Sequence, residues 1–426
     1  MNSYKTVLVV IFTIFFFGKK SEEYLGLSKD ILQISAVINS SDYSTFLKKQ
    51  FSTLEAFSYA NSNERSSDLA PSLRTSNDKF NHSDYPSTQS GVNSSSHLIV
   101  NNLPNGYVKD GSVDYTSYIQ MSIDKYNNLV FPPFPLLIND SGLKIGSNKS
   151  ITFLKGSELR LKPSLKKGYH IIDINQSTNV VLYNPVIKGD RYHHLGNGGE
   201  WGMGLSIRGS NNVKVFGAHI TDCWGDGIYI GEIGKNHVPK NIVIKNAHLS
   251  KNRRDGISII SVDGLILENI YAGFQDGTLP MCGINFETDN PECEIKNVKV
   301  INPVTEHNKG SGIQIQLSTL LGKNFKSSNI KIINHVDVGS KSFAVKVACN
   351  KKVGVVGGSV AGLVSIVNPF WKSTIGDRPL TFVTDQSNLK VIVSSPRVKK
   401  SNGHTLTFLE IRNVLRKHSN GDLKIL

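Results

Sequence analysis

The sequence predicts an all-β protein folded as a right-handed parallel β-helix, a solenoid of stacked coils, with an N-terminal capping helix. The first observation is a phrase in which a polar residue precedes alternating aliphatic residues, as in "NVKVFGAHITD". Alternation with a period of two gives a short strand one apolar and one polar face. The phrase recurs six times, starting at residues 179, 212, 241, 264, 297 and 329.

The second observation is a shorter phrase that follows each of the first five copies. It reads "MGLSI", "DGIYI", "DGISI", "CGINF" and "SGIQI", and its glycines are separated by 23, 29, 27 and 29 residues. Two or three short strands per unit of this length, stacked unit on unit, form a solenoid. Helical patterns are absent between the strands, which excludes a fold of alternating strands and helices. The alternative, an antiparallel β-sandwich, predicts hairpin turns at a shorter spacing than these phrases and no in-register repetition of the Gly-Ile phrase.

Both ends of a solenoid need a cover, and the N-terminal cover is visible in the sequence. In "VDYTSYIQMSIDKYNN", Tyr115, Ile119 and Ile123 lie on one face of a predicted helix, which precedes the strand "LVFPP". At the other end, "LTFVTDQSNLKVIVSS" and "TLTFLEIRNVL" are interpreted as final strands. The β-helix domain is therefore predicted over residues 101–400, followed by a C-terminal tail over 401–426.

Two other segments precede the solenoid. Residues 1–20 carry an apolar run that is short for a membrane span and has the length of a signal-peptide core. We expect a signal peptide and a secreted or cell-surface protein, with an uncleaved membrane anchor or a buried segment as alternatives. Residues 21–100 begin with helical patterns and continue as a Ser- and Asn-rich stretch, which predicts a helical and low-complexity linker region.

Composition limits the class of partner. Lys and Arg outnumber Asp and Glu by 48 to 34, a surplus that favours nucleic acid, an anionic membrane or an acidic polysaccharide. Nucleic acid is disfavoured because no basic and aromatic motif recurs. The four cysteines form no CxxC pair and have no zinc-ligand spacing to His, so we expect mostly buried thiols and no metal ligands among them.

The opening of the domain resembles that of the pectate-lyase-like β-helix superfamily. The similarity is carried by Thr116, Gln120, "LVFPP", "GLKI" and "ITFLKGSELRL", between Asp114 and Leu161. The coils "GDGIYIG", "NRRDGISII" and "CGINFE" look like central coils of right-handed β-helix and glycoside-hydrolase-28-related proteins of bacteria and phages. The resemblance spans residues 101 to 400.

This resemblance implies an exported carbohydrate-active protein, a lyase, hydrolase or epimerase, whose acidic polysaccharide lies in a groove on one flank of the helix. The catalytic signatures of polygalacturonases and alginate epimerases are absent, so no catalytic set is carried over from the family. Some pectate lyases use calcium, which makes calcium a candidate cofactor, although no acidic cluster is dense enough to predict a site. Trimers are frequent among phage spikes of this architecture, so a trimer is one candidate assembly.

The candidate catalytic residues come from stacking. Equivalent positions of adjacent coils lie about 4.8 Å apart, so residues at a fixed offset from the repeated glycine form columns. Asp226 and Asp255 precede the glycine in consecutive coils, where each is either a turn residue or one of an acid and base pair. Glu287 follows its glycine by four residues, and His194 lies in a loop expected to overhang the groove.

Residues of the types that bind sugars surround these candidates. Aromatic faces stack on sugar rings, whereas arginines and amides hydrogen-bond carboxylates and hydroxyls. The predicted substrate-binding residues are Arg253, Arg254, Trp201, Trp224, Tyr229, Asn285 and Gln314. Packing of the two tryptophans beneath a loop is the structural alternative.

The sequence leaves open whether the reaction is hydrolysis or elimination. Asp226 and Asp255 in adjacent coils predict carboxyls roughly 5 Å apart, as in a retaining glycosidase, whereas Asp226 and Glu287 predict roughly 9 Å, as in an inverting one. A lyase needs cations for a uronate carboxylate, such as Arg253 and Arg254, and a base. The leading hypothesis is an enzyme cleaving an acidic polysaccharide, and the alternative is a non-catalytic glycan-binding, adhesin or tailspike-like module.

Overall fold

The computed structural model describes residues 95–426 except 235–236, 323, 352–357, 375–377 and 387. The predicted signal or anchor segment and nearly all of the predicted linker, up to residue 94, lie outside these residues. No helix within the described part of the chain is long and apolar enough to cross a membrane.

The chain forms a right-handed parallel β-helix of about 10 turns, as predicted. One face of the solenoid, here called the front sheet, contains the strands of the Gly-Ile phrase, all paired in parallel. Among the described residues this sheet comprises β4 (Leu143–Lys144), β7 (Gly168–Asn175), β10 (Trp201–Arg208), β13 (Ile228–Gly231), β15 (Ile257–Ile259), β17 (Ile284–Glu287), β20 (Ile313–Gln316), β23 (Val345–Cys349) and β26 (Leu380–Thr384).

The remaining strands belong to one continuous sheet with two faces. The first face, here called the back sheet, contains β1 (His97–Leu98), β2 (Asn128–Phe131), β5 (Lys149–Phe153), β8 (Thr178–Tyr183), β11 (Asn211–Phe216), β14 (Lys240–Ser250), β16 (Val262–Gly273), β18 (Ile295–Ile301), β21 (Phe325–Ile333), β24 (Ser359–Val367), β27 (Leu389–Ser394) and β29 (Asp422–Ile425). The second face contains β3 (Pro135–Ile138), β6 (Glu158–Leu161), β9 (Val186–Lys188), β12 (His219–Thr221), β19 (Val304–Glu306), β22 (Val336–Val338), β25 (Phe370–Thr374) and β28 (Arg397–Lys400). Strands β14 and β16 run through both faces.

The polar residue that opens the long phrase lies near the start of a back-sheet strand and is left-handed in five of the six copies. Asn179, Asn212, Asn241 and Asn297 have φ between 54° and 60°, and Gly264 takes the same place with φ 86°. Asn tolerates this left-handed conformation better than other non-Gly residues. The side chains also stack from coil to coil, since Asn212 Nδ2 donates to Asn179 Oδ1 over 2.7 Å.

The core is a set of aliphatic columns inside the coils. The isoleucines of the Gly-Ile phrase pair in register along the front sheet and are fully buried; one column reads Ile207, Ile230, Ile259, Phe286 and Ile315. Each such side chain contributes about 1.5–3 kcal/mol of hydrophobic free energy. The four cysteines are buried free thiols, as expected.

Helices close both ends. The predicted N-terminal cap is α1 (Thr116–Lys125), which buries Ile119 and Ile123. Within the described ranges, two 3₁₀ turns accompany the strands, η1 (Ile99–Asn102) near this end and η2 (Ser318–Leu320) after β20.

The C-terminal end differs from the prediction. The stretch "TLTFLEIRNVL" is not a strand but contains most of helix α2 (Phe408–Lys417), whose buried Ile411 and Leu415 are spaced by one helical turn. A capping box starts this helix, because the Thr407 hydroxyl accepts from the Glu410 N–H while the Glu410 carboxylate accepts from the Thr407 N–H. Strand β29 then pairs with β27, so the segment 401–426 extends the solenoid rather than forming a tail.

Candidate active site

The outward column of the front sheet has the predicted register. Ser206, Tyr229, Ser258, Asn285 and Gln314 are direct partners in successive parallel strands. Their spacing follows from strand pairing, since neighbouring strands lie about 4.8 Å apart. The coils of β13, β15 and β17 therefore bring the predicted site residues to one region.

Arg254 is the centre of this region. Its Nη1 lies 3.2 Å from Asp226 Oδ2 and 3.4 Å from Asp255 Oδ2, and its Nη2 donates to Glu287 Oε2 over 2.7 Å. A fourth carboxylate, Glu200, approaches Arg254 Nε to 3.8 Å. Three predicted catalytic acids thus meet at one predicted substrate-binding arginine.

Asp226 and Asp255 are placed differently from the prediction. Both side chains are fully buried, behind Arg254. Each carboxylate accepts a backbone N–H of the next coil, from Asp255 at 3.0 Å and from Cys282 at 2.6 Å respectively. These acids therefore fix the turns and hold Arg254, and neither can contact a sugar in this conformation. The adjacent-coil acid pair expected for a retaining glycosidase is absent from the surface of the described chain.

Burial sets the ionisation of these two acids. It raises the pKa of Asp226, against the opposing effect of Arg254. It also raises the pKa of Asp255 to about 7, with the Asp226 charge adding to the shift and Arg254 opposing it. A carboxyl without water is stabilised in its neutral form, and a second carboxylate nearby has the same effect.

Two predicted substrate-binding amides support the acids instead. Asn285 Nδ2 donates to Asp255 Oδ2 and to Glu287 Oε2, both over 3.0 Å, and Gln314 Nε2 donates to Asn285 Oδ1 over 3.1 Å. Asn285 is fully buried and Gln314 nearly so. The amides therefore orient the acid groups, and the prediction that both bind substrate directly is not met.

Glu287 is the predicted acid that reaches the surface. About a third of its side chain is exposed, at 32%, whereas the side chains of Asp226 and Asp255 have no exposure. The bonds from Arg254 and Asn285 both end on Oε2. The carboxylate is thus held at one oxygen while the other is left for a ligand.

A cavity of about 220 Å³ lies beside this group. Three predicted substrate-binding residues, Trp201, Tyr229 and Arg254, line it. Trp201 is 55% exposed, which leaves its ring open to a sugar. The cavity wall also includes Asp289, whose pKa is raised by burial and by the neighbouring charges of Glu287 and Glu232, with Arg254 opposing the shift.

His170 and Arg208 complete the cavity and were not selected from the sequence. His170 Nδ1 lies 3.3 Å from Asp173 Oδ1, and Arg208 Nη2 lies 3.6 Å from Asp173 Oδ2. His170 and Asp173 belong to β7, one coil before the first Gly-Ile phrase, so the repeat did not reveal that coil. Arg208 was visible as the residue four positions after Gly204.

An acidic cavity of about 490 Å³ adjoins the first. Glu232, Asp289 and Glu292 line it, and it shares Tyr229, Ile260 and Asp289 with the smaller cavity. Asn290 Nδ2 donates to Glu232 Oε1 over 2.8 Å. The groove therefore has an acidic end and an opposite end with His170 and Arg208, where Asp173 partly compensates the charge of Arg208.

The remaining predicted residues form a separate cluster. The ring of His194 stacks on Trp224 at 3.9 Å, and the guanidinium of Arg253 lies 3.8 Å from the centre of the same ring. Two groups this close to one ring centre cannot share a face, so both faces of Trp224 are covered. Arg253 Nη1 also donates to the Gly199 carbonyl over 2.7 Å. Trp224 and Arg253 thus anchor a loop, and neither offers a free surface to a sugar.

His194 is likewise a structural residue in this conformation. Its side chain is fully buried, with Nδ1 2.8 Å from Asp190 Oδ2, and Tyr169 donates its hydroxyl to the other oxygen of Asp190. A buried ring between an aspartate and Trp224 cannot reach a substrate. The predicted catalytic role of His194 therefore does not fit its position.

Within the described residues, no group of three or more His, Cys, Asp or Glu side chains is placed to hold a metal ion.

The arrangement has the components of acid and base catalysis on a sugar. Glu287 is an accessible carboxylate oriented by a cation and an amide, and Asp289 is a carboxyl whose environment favours its protonated form. A carboxyl that keeps its proton can serve as a general acid, and an oriented carboxylate within reach of a water molecule can serve as a general base. Trp201 and Tyr229 supply aromatic surface beside them.

Comparison with known sequences gives partial matches. No protein-family model matches this chain. The SPbeta prophage-derived uncharacterized protein YorA of Bacillus subtilis (strain 168) is 29% identical over 162 residues, which cover 34% of this chain and 28% of that protein. The uncharacterized protein YclG of the same organism is 25% identical over 221 residues, covering 45% and 38% respectively. The chain thus spans less than half the length of either relative.

Solved structures share the fold. A tailspike protein of E. coli bacteriophage HK620 in complex with a pentasaccharide matches with a TM-score of 0.54 at 12% identity, over 72% of this chain and 58% of the tailspike. Gene product 12 of bacteriophage phi29 gives 0.51 at 16%, over 71% and 49%. The Streptococcus pneumoniae adhesin PfbA gives 0.50 at 12%, over 78% and 96%. At this level of identity the structures show the fold alone, and that fold is a right-handed parallel β-helix.

Proposed function

We propose that this protein is a glycoside hydrolase acting on an acidic polysaccharide, with Asp289 as general acid and Glu287 as general base. The observation that carries the proposal is the contrast between these two acids at the groove. Burial and like charge raise the pKa of Asp289, whereas Arg254 and Asn285 hold Glu287 in place. The two acids expected from stacking, Asp226 and Asp255, serve as the support of Arg254.

The reaction follows from these roles. Asp289 gives its proton to the glycosidic oxygen as the bond from that oxygen to the anomeric carbon breaks. Glu287 takes a proton from a water molecule, whose oxygen forms the new bond to the anomeric carbon. The products are two shorter chains that together contain one added water.

Charge along the groove suggests which sugars bind where. At the end opposite the acidic one, the N–H groups of Arg208 and the ring of His170 can hydrogen-bond a carboxylate on the substrate, which would share Arg208 with Asp173. Glu232 and Glu292 at the acidic end repel a second carboxylate. The substrate is therefore a mixed polymer in which an acidic sugar neighbours a neutral or amino sugar, rather than a homopolymer of uronates.

The test is a screen of acidic heteropolysaccharides and capsular glycans with reducing-end assay and mass spectrometry. Hydrolysis adds one water to each cleaved bond, whereas a lyase yields a product lighter by one water. Glu287→Gln and Asp289→Asn should each lower kcat at least about a hundredfold and keep substrate affinity. Glu268→Gln, which alters an acid paired with Lys245 on the back sheet, is the matched control.

Three outcomes contradict the proposal in different ways. Unsaturated products would identify a lyase, in which Arg208 and Arg254 neutralise a uronate carboxylate and His170 or Tyr229 takes the base role. Glycan binding without turnover would identify the non-catalytic module, adhesin or tailspike-like. Full activity in both acid variants would remove Glu287 and Asp289 from the mechanism.

A further inference from the structure

A second groove lies on the back sheet, away from the candidate active site. It has a volume of about 700 Å³, and we call it the lysine groove, defined by Val243, Ile266, Lys299, Lys331 and Leu363. Its lining comes from β14, β16, β18, β21 and β24, and it contains no acidic and no aromatic side chain.

The register of the back sheet brings these lysines together. Ile266, Lys299 and Lys331 are direct partners in β16, β18 and β21. The flanking Val298 and Val300 are buried, so Lys299 lies on the outer face by strand alternation. Both lysines are exposed, and the neighbouring Ile266 is only partly covered.

The two lysines repel each other without local compensation. Adjacent strands are about 4.8 Å apart, and like charges directly opposite each other destabilise a sheet. By contrast Lys245, two residues beyond Val243 on β14, pairs with Glu268 over 2.7 Å. Within the described part of the chain, neither Lys299 nor Lys331 forms an ion pair. An anionic ligand would supply the missing partner.

The dimensions and chemistry of the groove narrow the class of anionic ligand that it fits. Its lining spans five strands, roughly 19 Å at about 4.8 Å per strand step, which suits an extended chain better than a small ion. Single-stranded nucleic acid is disfavoured because the lining offers no aromatic ring for base stacking. A second copy of this chain is disfavoured because the whole sequence carries a net charge of +14.

We propose that the lysine groove is a second binding surface, which holds an acidic polysaccharide chain away from the catalytic groove. The lysines contact carboxylates, while the aliphatic floor of Val243, Ile266 and Leu363 covers the apolar faces of sugar rings. The inference shares with the proposed function only the class of ligand. It requires no turnover and no residue of the Arg254 group.

The experiment compares binding of long chains with turnover of short ones. In the full-length protein, Lys299→Glu/Lys331→Glu should weaken binding to immobilised hyaluronate or another long acidic heteropolysaccharide roughly tenfold, and raised salt should reduce the difference. Lys155→Glu/Lys351→Glu, which changes two exposed lysines elsewhere by the same charge, is the control. Hydrolysis of short oligosaccharides should be equal in all three proteins.

The outcomes separate this inference from the proposed hydrolase. Equal binding of the long chain by both double variants overturns the lysine groove as a polysaccharide site. If changing Lys299 and Lys331 weakens the binding of single-stranded DNA more than the binding of polysaccharide, the proposed class of ligand is wrong. Lysine-dependent binding without hydrolysis of any glycan supports the lysine groove and contradicts only the proposed reaction.

Discussion

Replacing Asp255 by Asn should change how the stability of the protein depends on pH. The side chain is fully buried, and burial together with Asp226 raises its pKa to about 7, from an ordinary value of 3.8 in the unfolded chain. Between these values the folded protein keeps a proton that the unfolded chain releases. The free energy of unfolding therefore falls as pH rises through this window.

The magnitude follows from the width of the window. One proton held by only one state changes the free energy of unfolding by about 1.4 kcal/mol per pH unit, so across this window Asp255 costs on the order of 4 kcal/mol above pH 7. Asn resembles the protonated acid and does not titrate. The variant should equal the wild type near pH 4 and exceed it in stability near pH 8 by an amount of this order.

The assay is urea denaturation of both proteins at pH 4 to 8, followed by circular dichroism. Asp276→Asn, which removes a half-exposed acid, controls for a general change in net charge and should leave the pH dependence of the wild type unaltered. Parallel curves for wild type and Asp255→Asn would refute the reasoning, because they would mean that Asp255 is ionised in the folded protein across the whole range.

Two further substitutions test the groove and the loop beside it. Trp201→Ala should weaken glycan affinity by roughly tenfold, a loss of about 1.4 kcal/mol in binding free energy. Because the ring is exposed, the free energy of unfolding should stay within about 0.5 kcal/mol of the wild-type value. A loss of fold measured by thermal melting would contradict a binding role. Trp224→Leu should remove the ring between His194 and Arg253 and expose residues 189–200 to proteolysis; an unchanged cleavage rate after Arg191 would show that the stack does not anchor the loop.

The fold could be predicted because successive coils repeat the same sequence pattern. Asn179, Asn212 and Asn241 mark the same left-handed turn, and the isoleucines after each glycine mark the same inward positions. This periodicity also gave the correct outward column from Ser206 to Gln314. The C-terminal helix was not predicted because the composition of its sequence resembles that of a strand, although a capping box at Thr407 starts the helix.

The candidate site was predicted less well, for two physical reasons. Stacking gives the column of a residue but not its depth, so Asp226 and Asp255 were placed at the surface when Arg254 lies over both. The coil that contributes His170 lacks the repeated glycine phrase and could not be aligned. Tyr229 and Trp201 line the smaller cavity, and Glu287 contacts its lining residue Arg254, because these positions of neighbouring coils converge there; their roles stay predictions.

The positive charge of the chain and the acidity of the groove have a common explanation. A general acid needs a raised pKa, and cations close to Asp289 would lower it. Arg254 still lowers the pKa of Asp289, but its effect is limited because it is paired with Asp226, Asp255 and Glu287. A protein that must attract an anionic polymer and protonate a glycosidic oxygen therefore gains from placing its uncompensated lysines on another sheet. If the protein is the proposed hydrolase, the lysine groove meets that requirement, since its lysines lie on another sheet and would hold the polymer without changing the ionisation of Asp289.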